Sequence, residues 1–404
     1  MAWGTDGRLV AGIFQFDSAN QQTYWRLMLI DPATMTVLDY LDLPRGISRG
    51  QKLVPAGAYG YLDGQDRNVT VHPDGTVWRV EHTADAFEDE DEVEKYDLTS
   101  YLLGDKDNIE TIQPDFSGRL WFATKLGAIG TLDMEANNGE GQVLETIKLR
   151  DGELVENGMA SDTDGAMYLV SSQAMYRFDA DENGVIHETW REPYDSGPPL
   201  GPLSIGAGTA PTLMGTDYVT IADHAEPQIH VLVYRRAKAV EGSRLICSVP
   251  VFKPGNSVTE NSLNATDRSI IVKNIFFYRG LKSTENGKTT KPGITRIDID
   301  EDGNGCHTVW TSQEIVSTIV PKLALHNGLV YTYTKDKGSA NTDAWYFTAI
   351  DFESGQTSYK VLAGTGTGTE PPWFNSHWGI VIIGPDEIAY IPVFGGFVTI
   401  RDGS

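Results

Sequence analysis

One turn returns along the whole chain, and it limits what the chain can fold into. A short strand, a turn bearing Asp or Gly, and a strongly apolar strand occur in Gln113-Pro114-Asp115-Phe116-Ser117-Gly118-Arg119-Leu120-Trp121-Phe122 and again in Ser161-Asp162-Thr163-Asp164-Gly165-Ala166-Met167-Tyr168-Leu169-Val170. Weaker copies stand at 326–331 and 384–390. The turns fall near Gly7, Gly64, Gly118, Gly165, Thr216, Asp267, Gly328 and Asp386. Their spacing, roughly 50 residues, lies in the range of propeller blades. After each copy comes a third strand ending in Asp, as in Arg177-Phe178-Asp179 and Arg296-Ile297-Asp298. A more polar fourth strand follows, as in Val143-Leu144-Glu145-Thr146-Ile147. Four antiparallel strands per unit make one blade. The expected fold is therefore all-β: a closed β-propeller over residues 1–404 as a single domain, with eight blades. Seven blades, with the termini sharing one, is the alternative. A two-domain sandwich would not keep one motif in even register from end to end.

Charge narrows the partners. The chain has 56 Asp and Glu against 32 Lys and Arg, a net charge of -24. Such a surface repels phosphate backbones and anionic lipid, which excludes nucleic acid and membrane surfaces as expected partners. No apolar run approaches the ~18 residues of a membrane span. A small molecule is the expected ligand, and the chain is expected to be a monomer or a weak oligomer. Met1 to Gly7 run straight into a strand pattern, so no secretory leader is expected, although a mature form with a restarted Met would look the same.

The two cysteines, Cys247 and Cys306, lie in the fourth strands of the fifth and sixth units. Outer strands of neighbouring blades can meet, so the pair is read either as one disulfide or as two buried thiols. A disulfide implies a secreted or periplasmic protein and free thiols a cytoplasmic one. The run Glu88-Asp89-Glu90-Asp91-Glu92 lacks the spaced ligands and Gly of a calcium loop and reads as a solvated turn. Gly364-Thr365-Gly366-Thr367-Gly368 reads as a loop ending a repeat. There is no Gly-x-Ser-x-Gly elbow, and no Gly-x-Gly-x-x-Gly opening a helix, so serine hydrolases and nicotinamide enzymes fit poorly.

In a propeller, the entries to the inner strands line one mouth of the central channel. Those positions hold Glu110, Glu156-Asn157, Gly208-Thr209, Glu260-Asn261, Pro321-Lys322 and Asn375. The ends of the second strands add Lys125, Ser171, Asp223-His224, Asn274 and Lys335. Glu156, Asn157, Glu260 and Asn261 offer hard oxygen ligands of the kind Ca²⁺ takes, and are the candidate metal set. His224, Asp223 and Lys322 are the candidate catalytic set, with His224 as general base and Lys322 either drawing a substrate carboxylate or ion-paired to Glu156 or Glu260. Asp223 and His224 are no dyad by adjacency, because neighbouring strand residues point to opposite faces. Among the other histidines only His377, beside Trp373 and Trp378, stands near a channel entry. Carboxylates gathered in a shielded ring repel one another, so a cation, a lysine ammonium or protonation must offset them.

The run from Glu156 to Gly165, followed by Tyr168 and Tyr176-Arg177-Phe178-Asp179, resembles blades of the SMP-30/gluconolactonase-like and strictosidine-synthase-like propellers over about two blades. A stretch from Gly208 to Arg236, then Thr259-Glu260-Asn261-Ser262-Leu263, also resembles uncharacterised bacterial propellers. The first resemblance implies one divalent ion on the channel axis, held by Glu, Asn and Asp, with Asn157 matching the inner-strand Asn and Asp223 a plausible Asp. Those enzymes have six blades, against eight here. The expected function is thus a Ca²⁺-dependent hydrolase or lactonase. A lyase on the same scaffold and a non-catalytic ligand- or protein-binding propeller are the alternatives.

Overall fold

The computed structural model describes all residues except 18–21, 44–58, 73, 198–200, 202–203, 317, 337–341, 368–371 and 403–404. It is almost wholly β. Seven four-stranded antiparallel sheets and one of three strands are the eight blades of a β-propeller. Helix among the described residues is limited to three short 3-10 turns, Thr99–Tyr101, Ala136–Gly139 and Leu281–Thr284. None of the helices is long and apolar enough to cross a membrane.

All eight turns expected from the sequence join the first and second strands of a blade. In the third blade the strands are Ile109–Pro114, Leu120–Thr124, Ala128–Asp133 and Gln142–Lys148. The fourth has Ala160–Ser161, Ala166–Val170, Ala174–Ala180 and Ile186–Pro193. The first blade opens on the two-residue strand Ala2–Trp3, and the last has only Ile382–Ile383, Ala389–Val393 and Gly396–Ile400. Gly364 to Thr367, expected in a loop, instead complete the long strand Thr357–Thr367, while Gly368 lies outside the described residues. With period-2 alternation and a paired neighbour, Thr-Gly repeats extend a strand as well as they end one.

The Asp of the turn explains the motif. Asp115 Oδ1 accepts the N–H groups of Ser117 (2.8 Å) and Arg119 (3.1 Å), and its Oδ2 accepts the Trp121 indole N–H (3.0 Å). Asp162 does the same for Asp164 and Ala166, and takes the Tyr168 hydroxyl at 3.0 Å. One carboxylate thereby closes the turn and fixes the aromatic six residues on. Gly118 and Gly165 sit at φ 92° and 81°, the left-handed region that an L side chain resists.

The chain divides into two compact units, Met1–Ser171 with Arg177–Thr189, and Ser172–Tyr176 with Trp190–Ser404. In the first, Val69, Ile112, Leu120, Phe122 and Leu132 pack between the second and third sheets. In the second, Val231, Val233, Ile270, Val272 and Ile297 pack between the fifth and sixth. Every residue of Leu120–Thr124 and Ala166–Val170 is buried, whereas the outer strand Gln142–Lys148 is not buried at any position. Each large apolar side chain so buried is worth about 1.5–3 kcal/mol. Arginines on three third strands tie their sheet to the next: Arg79 to Glu135, Arg235 to Asn304 and Arg296 to Glu353.

Cys247 and Cys306 form a disulfide between the outer strands Leu245–Pro250 and Cys306–Ser312, with Cα atoms 5.8 Å apart. The bridged alternative is the one realised, and it ties the fifth sheet to the sixth.

Candidate functional site

In the first unit the polar groups gather at the start of the third blade. Asp107 orders the backbone there. Its Oδ1 accepts the N–H groups of Asn108 (3.0 Å) and Leu126 (2.8 Å), and its Oδ2 that of Leu103 (2.8 Å). The entry to the first strand and the exit of the second are thus held side by side. Lys125 N–H donates to Asn108 O at 2.9 Å, and Val155 N–H donates to Lys125 O at 3.0 Å. The second contact lays the 149–159 loop, with Glu156, against Lys125.

The side chains then meet. Lys125 Nζ lies 3.1 Å from Glu156 Oε1, with the side chains 22% and 9% exposed. Glu110 accepts a hydrogen bond from Asn108 Nδ2 at 3.2 Å. Burial raises the Glu110 carboxyl to about 7. The Asn108 bond and the Lys125 charge pull the other way, while Glu156 and Asp107 add to the rise. Tyr59 completes the cluster. Burial and the Glu110 charge push its hydroxyl well above its ordinary range, against a hydrogen bond from the Gly158 backbone. Around Glu110 the repulsion among Glu110, Glu156 and Asp107 is eased by the Lys125 ammonium and shows itself in the raised Glu110 carboxyl. Lys322, by contrast, is exposed at the start of the seventh blade's first strand, Lys322–Ala324.

In the second unit, Asp223 and His224 diverge as adjacent strand residues should. Asp223 is 2% exposed. Its Oδ1 accepts the N–H groups of His230 (2.6 Å) and Ala225 (3.2 Å), and its Oδ2 faces His230 Nδ1 at 3.1 Å. Burial raises its carboxyl, with His230 opposing. His224 is fully buried, and its Nε2 donates to Thr259 O at 3.1 Å. A Cβ on Gly208 would stand 2.6 Å from that nitrogen and 1.8 Å from Thr259 O, so only glycine admits this contact. Glu260 Oε1 accepts the Ser204 N–H at 3.0 Å, and Asn261 Nδ2 donates to Thr318 O at 2.8 Å. Lys335 is buried and bridges Asp343, Thr284 O and Lys288 O.

The sequence reading missed Asp223 with His230. The signal was available: Ala222 pairs with Val231, so the next residue outward on each strand faces its partner across the hairpin. It also passed over Glu110 and Lys125 in favour of Lys322, although both were among the channel-mouth positions.

The metal set was tested against the donor geometry. Among the described residues no three of His, Cys, Asp and Glu gather at metal-binding distance. Glu156 is against an ammonium, Glu260 is covered by a backbone amide, and Asn261 is turned to a carbonyl. A calcium ion needs six to eight oxygens at 2.3–2.6 Å; Glu156 Oε1 and Glu260 Oε1 are each engaged by a protein donor, while Asn261 keeps its Oδ1 buried with no hydrogen-bond partner.

No protein-family model matches the chain. An uncharacterized protein of Archaeoglobus fulgidus is 24% identical over 317 residues, covering 70% of this chain and 58% of the relative. The chain therefore spans less than two-thirds of that relative's length. Among solved structures, Saccharomyces cerevisiae Sqt1 is similar with a TM-score of 0.53 at 8% identity, over 85% of this chain and 81% of that one. A functionally unknown protein from Desulfotomaculum acetoxidans gives 0.46 at 11% identity, over 83% and 92%. A Bacteroides fragilis protein provisionally described as a 6-phosphogluconolactonase gives 0.46 at 11% identity, over 97% and 90%. At these identities the likenesses speak to the fold alone.

Proposed function

We propose that this propeller is a hydrolase of small lactones or esters, working by general acid–base catalysis at Glu110. One observation carries the reading: a partly buried carboxyl with its pKa at about 7, set beside a lysine–carboxylate pair. A base poised near neutrality combines a usable ionised fraction with useful basicity. A titration displaced by burial together with a specific charge partner is a mark of candidate functional sites. The resemblance of the 156–165 segment to gluconolactonase-like propellers points to the same substrate class.

The chemistry follows from the three side chains. Ionised Glu110 takes a proton from water as the water oxygen bonds to the acyl carbon. The Lys125 ammonium, held by Glu156, stabilises the oxyanion that forms. Protonated Glu110 returns the proton to the departing alkoxide, the acyl C–O bond breaks, and the hydroxy acid leaves. No step is routed through calcium.

The test is a pH–rate profile on a panel of small aldonolactones and carboxylate esters. Hydrolysis should show a limb near pH 7 that Glu110→Gln removes. Turnover unchanged in that variant would exclude Glu110 as the base, and no turnover on the whole panel would favour a binding propeller.

A further inference from the structure

We propose that the connection between the second and third strands of the sixth blade forms a binding site for a small anion of carboxylate or phosphate chemistry, separate from the Glu110 cluster and independent of its reading. In the third blade the equivalent connection is only Lys125 to Gly127. In the sixth it runs from Asn274 to Gly293. It carries Arg279, Lys282, Lys288 and Lys291 against a single carboxylate, Glu285, in a chain whose net charge is -24. It is thus a local reversal of sign, which a protein of this composition acquires only by concentrating its few cations.

The reversal surrounds a cavity. A space of about 670 Å³ is lined by Phe277, Arg279, Leu281, Lys282 and Lys288, among others. Phe277 is 54% exposed and gives the space an apolar wall, with Lys291 Nζ 5.0 Å from its ring centroid. A guanidinium fork and two ammonium groups suit a planar carboxylate or a phosphoryl group.

The backbone of the loop is braced from below. Tyr278 is fully buried and meets Trp378 edge-on at 5.5 Å. Asn286 and Gly287 donate their N–H groups to Asp343 at 3.0 and 2.8 Å. The buried Lys335 ammonium binds Asp343 and also the carbonyls of Thr284 (2.7 Å) and Lys288 (2.5 Å). It is the Lys288 backbone that is held, which leaves its exposed side chain for the cavity. Lys335, a channel-mouth candidate in the sequence, serves as this internal brace. A preorganised pocket loses less on binding than a loop that must first be ordered.

The experiment is calorimetric titration of the full chain with sodium phosphate and, separately, sodium citrate at constant ionic strength. Saturable binding of at least one anion is expected; phosphate alone identifies phosphoryl chemistry and citrate alone carboxylate chemistry. The triple variant R279Q/K282Q/K288Q should weaken binding at least tenfold, while R150Q, a cation of the first unit, should leave it unchanged. If the triple variant melts below the wild type, K282Q alone, at an exposed side chain, carries the comparison, with a threefold loss expected. Neither anion binding saturably, or equal binding in a folded variant, overturns the proposal.

Discussion

The Glu110 cluster of the first unit and the Asp223–His230 hairpin of the second are built from the same kinds of side chain, and they do opposite things with them. At Asp223 every oxygen is taken: two backbone N–H groups on one, an imidazole on the other. That carboxylate joins the two ends of a hairpin loop and is 2% exposed. At Glu110 a single amide donor is supplied, the carboxyl keeps some exposure, and burial is left to raise its pKa to about 7. The fully bonded buried carboxylate serves as a brace, and the partly bonded, partly open one is the group to which the proposed function gives proton transfer. Residue type does not separate the two; hydrogen-bond saturation does.

The contrast can be broken most severely at Glu110. Glu110→Gln should lower kcat/KM for a hydrolysed lactone by 10²–10⁴, the range for a lost general base. Asp223→Ala should change it less than threefold. Equal losses in the two variants, measured side by side, would erase the distinction.

The second unit should be held by its crosslink. Cys247→Ser with Cys306→Ser opens a loop of 59 residues' separation. The chain-entropy account puts the loss at about 4 kcal/mol. Denaturant unfolding with a catalytic readout in parallel checks it: a lowered midpoint with unchanged kcat is expected, and a collapse of kcat at native conditions would tie the second unit to the chemistry.

Asp223→Ala should itself cost about 1–3 kcal/mol, since the Ala225 and His230 N–H groups lose their acceptor inside the protein. An unchanged melting temperature would show that the hairpin does not need its brace.

Stability against pH should separate the sites with a smaller effect. Glu110 holds its proton up to about 7 when folded, against an ordinary value of 4.5. Between those values the native chain binds more protons than the unfolded one, so stability falls as pH rises. The contribution is at most about 3 kcal/mol and is reduced by solvent screening. Glu110→Gln should flatten that slope and be the more stable protein above pH 7. A slope unaltered by the variant would assign the titration elsewhere. Lys125→Met removes the proposed oxyanion partner and should lower kcat by about 10²–10³; the turnover that remains should show its limb at higher pH, because the charge opposing Glu110's protonation is removed.

How much of this was legible in the sequence follows from what each feature depends on. The eight turns and the apolar second strands rest on local chemistry: Asp115 and Asp162 bond to groups within six residues of themselves. Cys247 and Cys306 were placed correctly because strand order within a blade is regular. Glu110 and Lys125 were both among the positions that the blade register singled out. Choosing among them was beyond a one-dimensional reading, because it depended on the Val155 N–H reaching Lys125 O and bringing Glu156 with it. The calcium expectation came from residue type; an oxygen each of Glu156 and Glu260 faces an ammonium and an amide, whereas Asn261 turns its Nδ2 to a carbonyl and keeps its oxygen free of hydrogen bonds. The Asp223–His230 pair was within reach of register reasoning.

The most direct measurement is the titration of Glu110 itself. Protein labelled with ¹³C at glutamate carboxyls, followed by NMR from pH 4 to 9 and assigned by the resonance missing in Glu110→Gln, reports one group. The account requires a midpoint of about 7 for that resonance. A midpoint near 4.5, the ordinary glutamate value, would contradict it and leave the first unit's cluster as one more surface ion pair.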